Sequence, residues 1–416
     1  MNRVCSIFSQ LLQFFPRLEF EQVVRETRAE RHARGFTCWG QFVAMLFCQL
    51  GQARSLREIC GGLAGCEGKL KHLGIPQAPN KSTLAYANEH RPWQLCQKVF
   101  GILFARCPQA AGTRHGFRFR NPLLSIDATL VELCASMFDG AQYQKAKGAA
   151  KLHLVLDHDG HLPCYAVITA GKACEVKIAR EFQFAPGTIL VFDRGYVDYR
   201  WYQRLTDRGV FFVTRLRHDA QYRVLESRLV PKHRHILKDQ IITLGSHHYR
   251  QTARLRRIEV WVEERQEILV LLSNHLSFGP STIAQIYRER WRIEVFFRYL
   301  KQNLRIKTFV GTSANALHIQ IWTALIAILL LKYLQLRARY GWSLSNLVAL
   351  LRQQLFVYRD LQAWLDDPFQ APPALHRPAR WPTGAAVLDR CFGQHQCNLN
   401  PQMPALHLKT QLFQQR

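Results

Sequence analysis

Apolar residues recur at helical spacing over the first quarter of the chain, then switch near residue 120 to unbroken or alternating runs. Residues 8–35 read as short apolar steps followed by a charged helix that ends at Gly35. Residues 38–63 give a buried helix, a glycine break and an amphipathic helix, and residues 80–107 a helix with Ser82 or Thr83 as cap that continues past Pro92. The run "NPLLSIDATLVELC" (121–134) is the pattern of a strand covered on both faces. Residues 150–172 read as two further strands joined by the turn Asp157-His158-Asp159-Gly160. A helix from about Glu175 to Phe184, the strand "TILVFD", a helix closed by Gly209 and the strand "VFFVTRLR" complete an α/β core of mixed strand directions.

Beyond residue 216 the pattern turns β-like and more basic, with short strands at 222–230, 241–244, 247–262 and 268–272. One long helix is predicted from Pro280 to Leu304 and another from Ala314 to Leu336. These changes divide the chain into a helical region 1–115 suited to DNA binding, core segments 116–215 and 276–340 flanking a β-rich insertion 216–275, and a tail 341–416. That tail grows Pro-rich after Gln354, and weak order is expected over about its last 40 residues.

Composition sharpens this picture. Of 416 residues 48% are hydrophobic, enough to bury a large core, and 56 Lys and Arg against 30 Asp and Glu give a net charge of +26. A folded chain this basic meets a polyanion, which means nucleic acid or an anionic membrane face. The most apolar run, Ile321–Leu331, ends at Lys332, short of the roughly 20 residues a membrane-spanning helix needs. It reads as a buried core helix. No export signal is visible at the N-terminus, and the 12 scattered cysteines contain no C-x-x-C pair, which points to reduced thiols in a cytoplasm. Cys391, His395 and Cys397 have loose spacing and no evident fourth zinc ligand. "DHDG" is turn chemistry, His153, His158 and His161 lack ligand-like partners, and "GKACEVKIAREF" lacks the glycines of a phosphate loop, so no nucleotide cofactor is expected.

Three acids stand out. Asp127 lies inside "LLSIDATLV" and Asp193 ends "TILVF". A carboxylate in a buried strand costs several kcal/mol unless it is compensated. Two on strands of one sheet favour a hard cation such as Mg²⁺ or Mn²⁺ between them over two separate structural roles. Glu294 is the third. At about 100° per residue, Tyr287, Arg290, Glu294 and Lys301 fall within roughly a 60° arc of one helix face. Such an edge suits a phosphodiester, although a solvated charged face is the ordinary alternative.

At these residues the chain resembles DDE transposases of the insertion-sequence-4 type. That family's helical signature, Tyr-x2-Arg-x3-Glu-x6-Lys, matches Tyr287, Arg290, Glu294 and Lys301 at every spacing. Its first aspartate motif matches Asp127 in "SIDAT", and its second matches Asp193 in "FDRGY". The family's β-rich insertion fits between Asp193 and Glu294, and the helical start resembles the N-terminal domain carried by many such transposases.

The resemblance implies a ribonuclease-H-like mixed sheet with helices on both faces. It also implies two divalent ions (Mg²⁺ or Mn²⁺) held by Asp127, Asp193 and Glu294, and a homodimer acting on terminal repeats and target DNA in a bacterial cytoplasm. Tyr287, Arg290 and Lys301 would hold end phosphates, with Arg298 and Trp261 as further candidate DNA contacts. The eleven Lys and Arg between 215 and 257, against three acids, would bind duplex backbone. A DNA-binding protein that has lost its chemistry, or another nuclease of the same fold, stays open at this point.

Overall fold

The computed structural model describes residues 5–369 apart from 32, 34, 67, 108–114, 133–148, 231–234, 247–248, 251–252, 305–310 and 312; the Cys391/His395/Cys397 group and the tail beyond 369 lie outside the described residues. The helical start comprises α1 (Ile7–Leu12), α2 (Arg17–Thr27), α3 (Cys38–Leu50), α4 (Leu56–Ala64), α5 (Lys81–His90) and α6 (Gln94–Arg106). Two details depart from the sequence pattern. The charged helix stops at Thr27 because Arg28 takes the left-handed conformation (φ 52°), its N–H turning back to Arg25 O and Val24 O. Asn80, not Ser82 or Thr83, stands at the start of α5.

The switch near residue 120 marks the entry to the sheet. Its strands are β1 (Leu123–Glu132), β2 (Ala149–Asp157), β3 (Leu162–Ala170), β4 (Ile189–Phe192), β5 (Phe211–Arg215), β6 (Tyr222–Ser227), β7 (Ile236–Ser246), β8 (Tyr249–Arg250), β9 (Leu255–Val262) and β10 (Glu267–Ser273). They are ordered β3-β2-β1-β4-β5-β10-β9-β7-β6, with β8 beside β7. β1, β2 and β3 pair antiparallel, and β4 and β5 run parallel to β1. This is the mixed sheet expected of the α/β core. The β-rich segment extends that sheet, because β10 pairs antiparallel with β5, Leu271 facing Arg215.

The core sheet's two faces are covered by different helices, α7 (Glu175–Ala179), α8 (Tyr199–Asp207), α9 (Pro280–Glu289) and α10 (Trp291–Asn303). Strand alternation sends Leu123, Ile189, Val191, Val213, Ile258 and Leu271 to one face, against Ile283 and Ile286 of α9. Leu124, Ile126, Leu190, Phe192, Phe212 and Leu272 take the other, against Trp201, Tyr202 and Leu205 of α8. The single helix expected over Pro280–Leu304 is two, parted at Arg290, whose N–H bonds Tyr287 O at 3.1 Å in a tighter turn. Arg290 keeps helical dihedrals (φ −50°, ψ −34°), so the helical phase is nearly preserved across the break.

The apolar run at 321–331 lies in α11 (Ala314–Arg337), followed by α12 (Leu344–Gln354) and α13 (Leu361–Asp366). α11 is long and apolar enough to cross a membrane, yet its residues from Ile319 to Leu331 are buried in the protein. They share one core with α1–α6, with Leu152, Leu154 and Leu156 of β2, and with Ile293, Phe297 and Leu300 of α10. The first helix is tied to the segment between α12 and α13 by backbone bonds, Ile7 N to Val357 O at 3.0 Å and Phe8 N to Leu355 O at 2.8 Å.

Candidate active site

Parallel register builds the first half of the site. β1 and β4 align Ile126 with Phe192, so the next residues, Asp127 and Asp193, leave neighbouring strands at the same level. Strands lie about 4.8 Å apart, and matched positions face the same way. By alternation that face is the one covered by α9 and α10. Each acid takes a local backbone donor: Ala128 N–H gives to Asp127 Oδ1 at 2.8 Å, and Arg194 N–H gives to Asp193 Oδ1 at 2.7 Å. The second bond caps the single turn Arg194–Tyr196 that ends the strand.

The helical pair supplies the other half. Tyr287 near the end of α9 donates its hydroxyl to Asp193 Oδ1 at 3.5 Å. Arg290, at the junction, binds Glu294 Oε1 through Nη2 at 2.6 Å and reaches Asp127 Oδ2 through Nη1 at 3.8 Å. Its guanidinium also lies 5.8 Å from the centre of the Tyr287 ring. One guanidinium therefore joins the strand acid to the helix acid, while the tyrosine reaches the second strand acid. A cleft of about 380 Å³ opens beside them, lined by Asp127, Ala128, Thr129, Glu294, Phe297, Arg298, Lys301 and Gln302.

Burial pushes the Asp127 carboxyl up to about 6, with Glu294 and Glu175 adding to the rise; the Ala128 N–H and Arg290 oppose it without cancelling it. Burial also pushes Tyr287 up to about 12, so its hydroxyl stays protonated and donates. The wall is thus short of positive charge at Asp127, and its donors are hard carboxylate oxygens. That chemistry fits a divalent cation of the Mg²⁺ or Mn²⁺ kind. Among the described residues no three His, Cys, Asp or Glu side chains form a ready cluster for one ion, and Arg290 occupies the position between Asp127 and Glu294.

Residues 118–330, about half of the chain, match the profile of the transposase DDE domain. The chain belongs to that family. Residues 4–76 of this transposase match a second profile, a domain of unknown function. A Sinorhizobium fredii protein named as a transposase, y4zB, is 29% identical over 327 residues, covering 77% of this chain and 90% of that protein. A Geobacillus stearothermophilus protein named as a transposase for insertion sequence element IS5377 is 27% identical over 63% of this chain and 68% of its own length. Among solved structures, a piggyBac transposase synaptic complex with hairpin DNA aligns with 91% of this chain and 84% of that chain at a TM-score of 0.43 and 11% identity.

Other candidate residues of the transposase divide. Arg298 and Lys301 line the cleft with Asp127 and Glu294. Trp261 is not brought there: it sits half-buried on β9 opposite Ile268, and alternation turns it to the sheet face away from Ile258 and therefore from the acids. Part of the basic stretch is internal as well. Arg256 is 2% exposed and grips Asp239 with two bonds of 2.7 and 2.6 Å, and buried Arg257 pairs with Glu259. Sequence counting treats these arginines as surface charge because their acids reach them only across the pairing of β7 with β9 and along β9. The carboxylate it missed is Glu175, which lies close enough to Asp127 to help raise it. In the sequence Glu175 is an ordinary acid at the start of a short helix.

Proposed function

We propose that the protein is a Mg²⁺- or Mn²⁺-dependent transposase of the insertion-sequence-4 type, which cuts DNA at the ends of its element and joins the freed 3′-hydroxyl to target DNA. Asp127, Asp193 and Glu294 are its catalytic acids and would hold two ions. When bound, these ions supply a nucleophilic oxygen at neutral pH and neutralise charge developing at phosphorus. Three carboxylates on rigid strand and helix positions hold the reacting groups in line, and no nucleophilic side chain is required. Tyr287, Arg290, Arg298 and Lys301 take phosphate oxygens and the sugar-phosphate edge of an element end. In this reading Arg290 serves twice, neutralising Asp127 and Glu294 in the resting site and turning to phosphate when DNA arrives. Two ends must be brought together, so the working unit is a homodimer in a bacterial cytoplasm, with no nucleotide cofactor.

The observation that supports this most directly is the Arg290 bridge between Asp127 and Glu294, 167 positions apart in the chain. The test is cleavage of DNA carrying the repeats that flank the gene, with Mg²⁺ and then with EDTA. Asp127→Asn, Asp193→Asn and Glu294→Gln should each abolish Mg²⁺-dependent cleavage while leaving binding of the ends intact. Near wild-type strand transfer by any one of them removes that residue from the mechanism. Binding without cleavage by the unaltered protein leaves an inactive DNA-binding descendant of a transposase.

A further inference from the structure

Glu175 opens α7, the short helix between β3 and β4, and approaches the acids from the other side of the sheet. Its partner is Lys151 on β2, whose Nζ lies 3.1 Å from Glu175 Oε1 and 3.1 Å from Ala173 O. Strand alternation puts Lys151 on the face of Val155, the α8 face, whereas Arg290 and Glu294 come from α9 and α10. Lys151 takes one oxygen of Glu175; the other, Oε2, points to the turn after Asp193, 3.5 Å from where a Cβ on Gly195 would stand. A second observation points to the same place. Tyr196 of that turn is 1% exposed, its hydroxyl makes no hydrogen bond, and Asp127, Glu175 and Asp193 all act on it electrostatically. A buried hydroxyl without a partner costs about 1–3 kcal/mol, and the charged groups acting on this one are all carboxylates.

We propose that Glu175 is a fourth cation-binding carboxylate of this site, with Lys151 as its resting counter-ion and the Tyr196 hydroxyl as the donor that holds the loaded carboxylates in place. The inference rests on the reading of Asp127, Asp193 and Glu294 as cation-binding acids. Lys151 does for Glu175 what Arg290 does for Asp127 and Glu294, so each side of the site carries its own removable positive charge. A divalent ion that draws Glu175 away from Lys151 would take its place as the neutralising charge.

The test uses the full chain and Mn²⁺ alone, titrated calorimetrically, with thermal melts in EDTA as a folding control. Glu175→Gln should weaken Mn²⁺ binding roughly tenfold, as loss of a supporting ligand group does. Lys151→Met, which removes the competing cation, should tighten it. Opposite signs in the two variants support a ligand role, since a merely structural ion pair would be lost equally in both. Wild-type Mn²⁺ affinity in both variants, or equal weakening in both, overturns the proposal. Asp127→Asn separates the two readings. If Asp127→Asn loses Mn²⁺ binding and Glu175→Gln does not, only the role of Glu175 falls; if neither loses it, the cation-binding reading of the acids falls with it.

Discussion

Replacing Asp127 by Asn should stabilise the ion-free protein while destroying its chemistry. The Asp127 side chain is 19% exposed, and burial raises its carboxyl from an ordinary 3.8 to about 6. Between those values the folded state holds a proton that the unfolded chain has released. The favourable contribution is therefore complete below pH 3.8 and is lost as pH rises through 6. At pH 7.5 the ionised carboxylate costs the fold about 3 kcal/mol, taking about 1.4 kcal/mol for each pH unit of the rise. Asparagine keeps an oxygen for the Ala128 N–H, found at 2.8 Å in the wild type, and carries no charge to bury. Urea or thermal unfolding in EDTA at several pH values should show wild type and variant converging near pH 4 and separating by up to about 3 kcal/mol at pH 7.5. Adding Mg²⁺ should then raise the wild type and leave the variant nearly unmoved, because binding to the folded state alone is what stabilises. A variant no more stable than wild type in EDTA at pH 7.5 would mean that Arg290 already satisfies Asp127, and the case for cation binding at this carboxylate would fail with it.

Two further outcomes test other side chains. Asp239→Ala strands the buried Arg256 guanidinium and should cost about 3–5 kcal/mol in a melt, whereas Asp239→Leu with Arg256→Met should recover most of that loss; a double variant as unstable as the single one would refute the pairing as the cause. Lys301→Ala should weaken binding to an element-end duplex and lower the slope of log affinity against log salt by about one, read by fluorescence anisotropy. An unchanged slope would take Lys301 off the phosphate backbone.

Asp127 and Asp193 were legible in the sequence because ionised carboxylates are rare in apolar runs; Asp127 lies within β1 and Asp193 directly follows β4. Tyr287, Arg290, Glu294 and Lys301 were legible because helical geometry turns spacing into a common edge; the break at Arg290 left that edge nearly intact because Arg290 kept helical dihedrals. The burial of α11 and the split between helical start and sheet also followed from local periodicity. Other features arise only when segments distant in the chain meet. The β1–β4 register sets the two aspartates side by side, and the strand order of β7, β9 and β10 turns Trp261 away and draws Arg256 inward onto Asp239. Glu175 gains its meaning only from Lys151, Gly195 and Tyr196, none of which is its neighbour in the chain. Local sequence decides which apolar residues are buried and on which edge of an element a residue lies, since those follow from period and hydrophobicity. Which charge faces which is settled by strand register and helix packing, and a single-residue slip in either would change every partner while leaving the pattern of the chain the same.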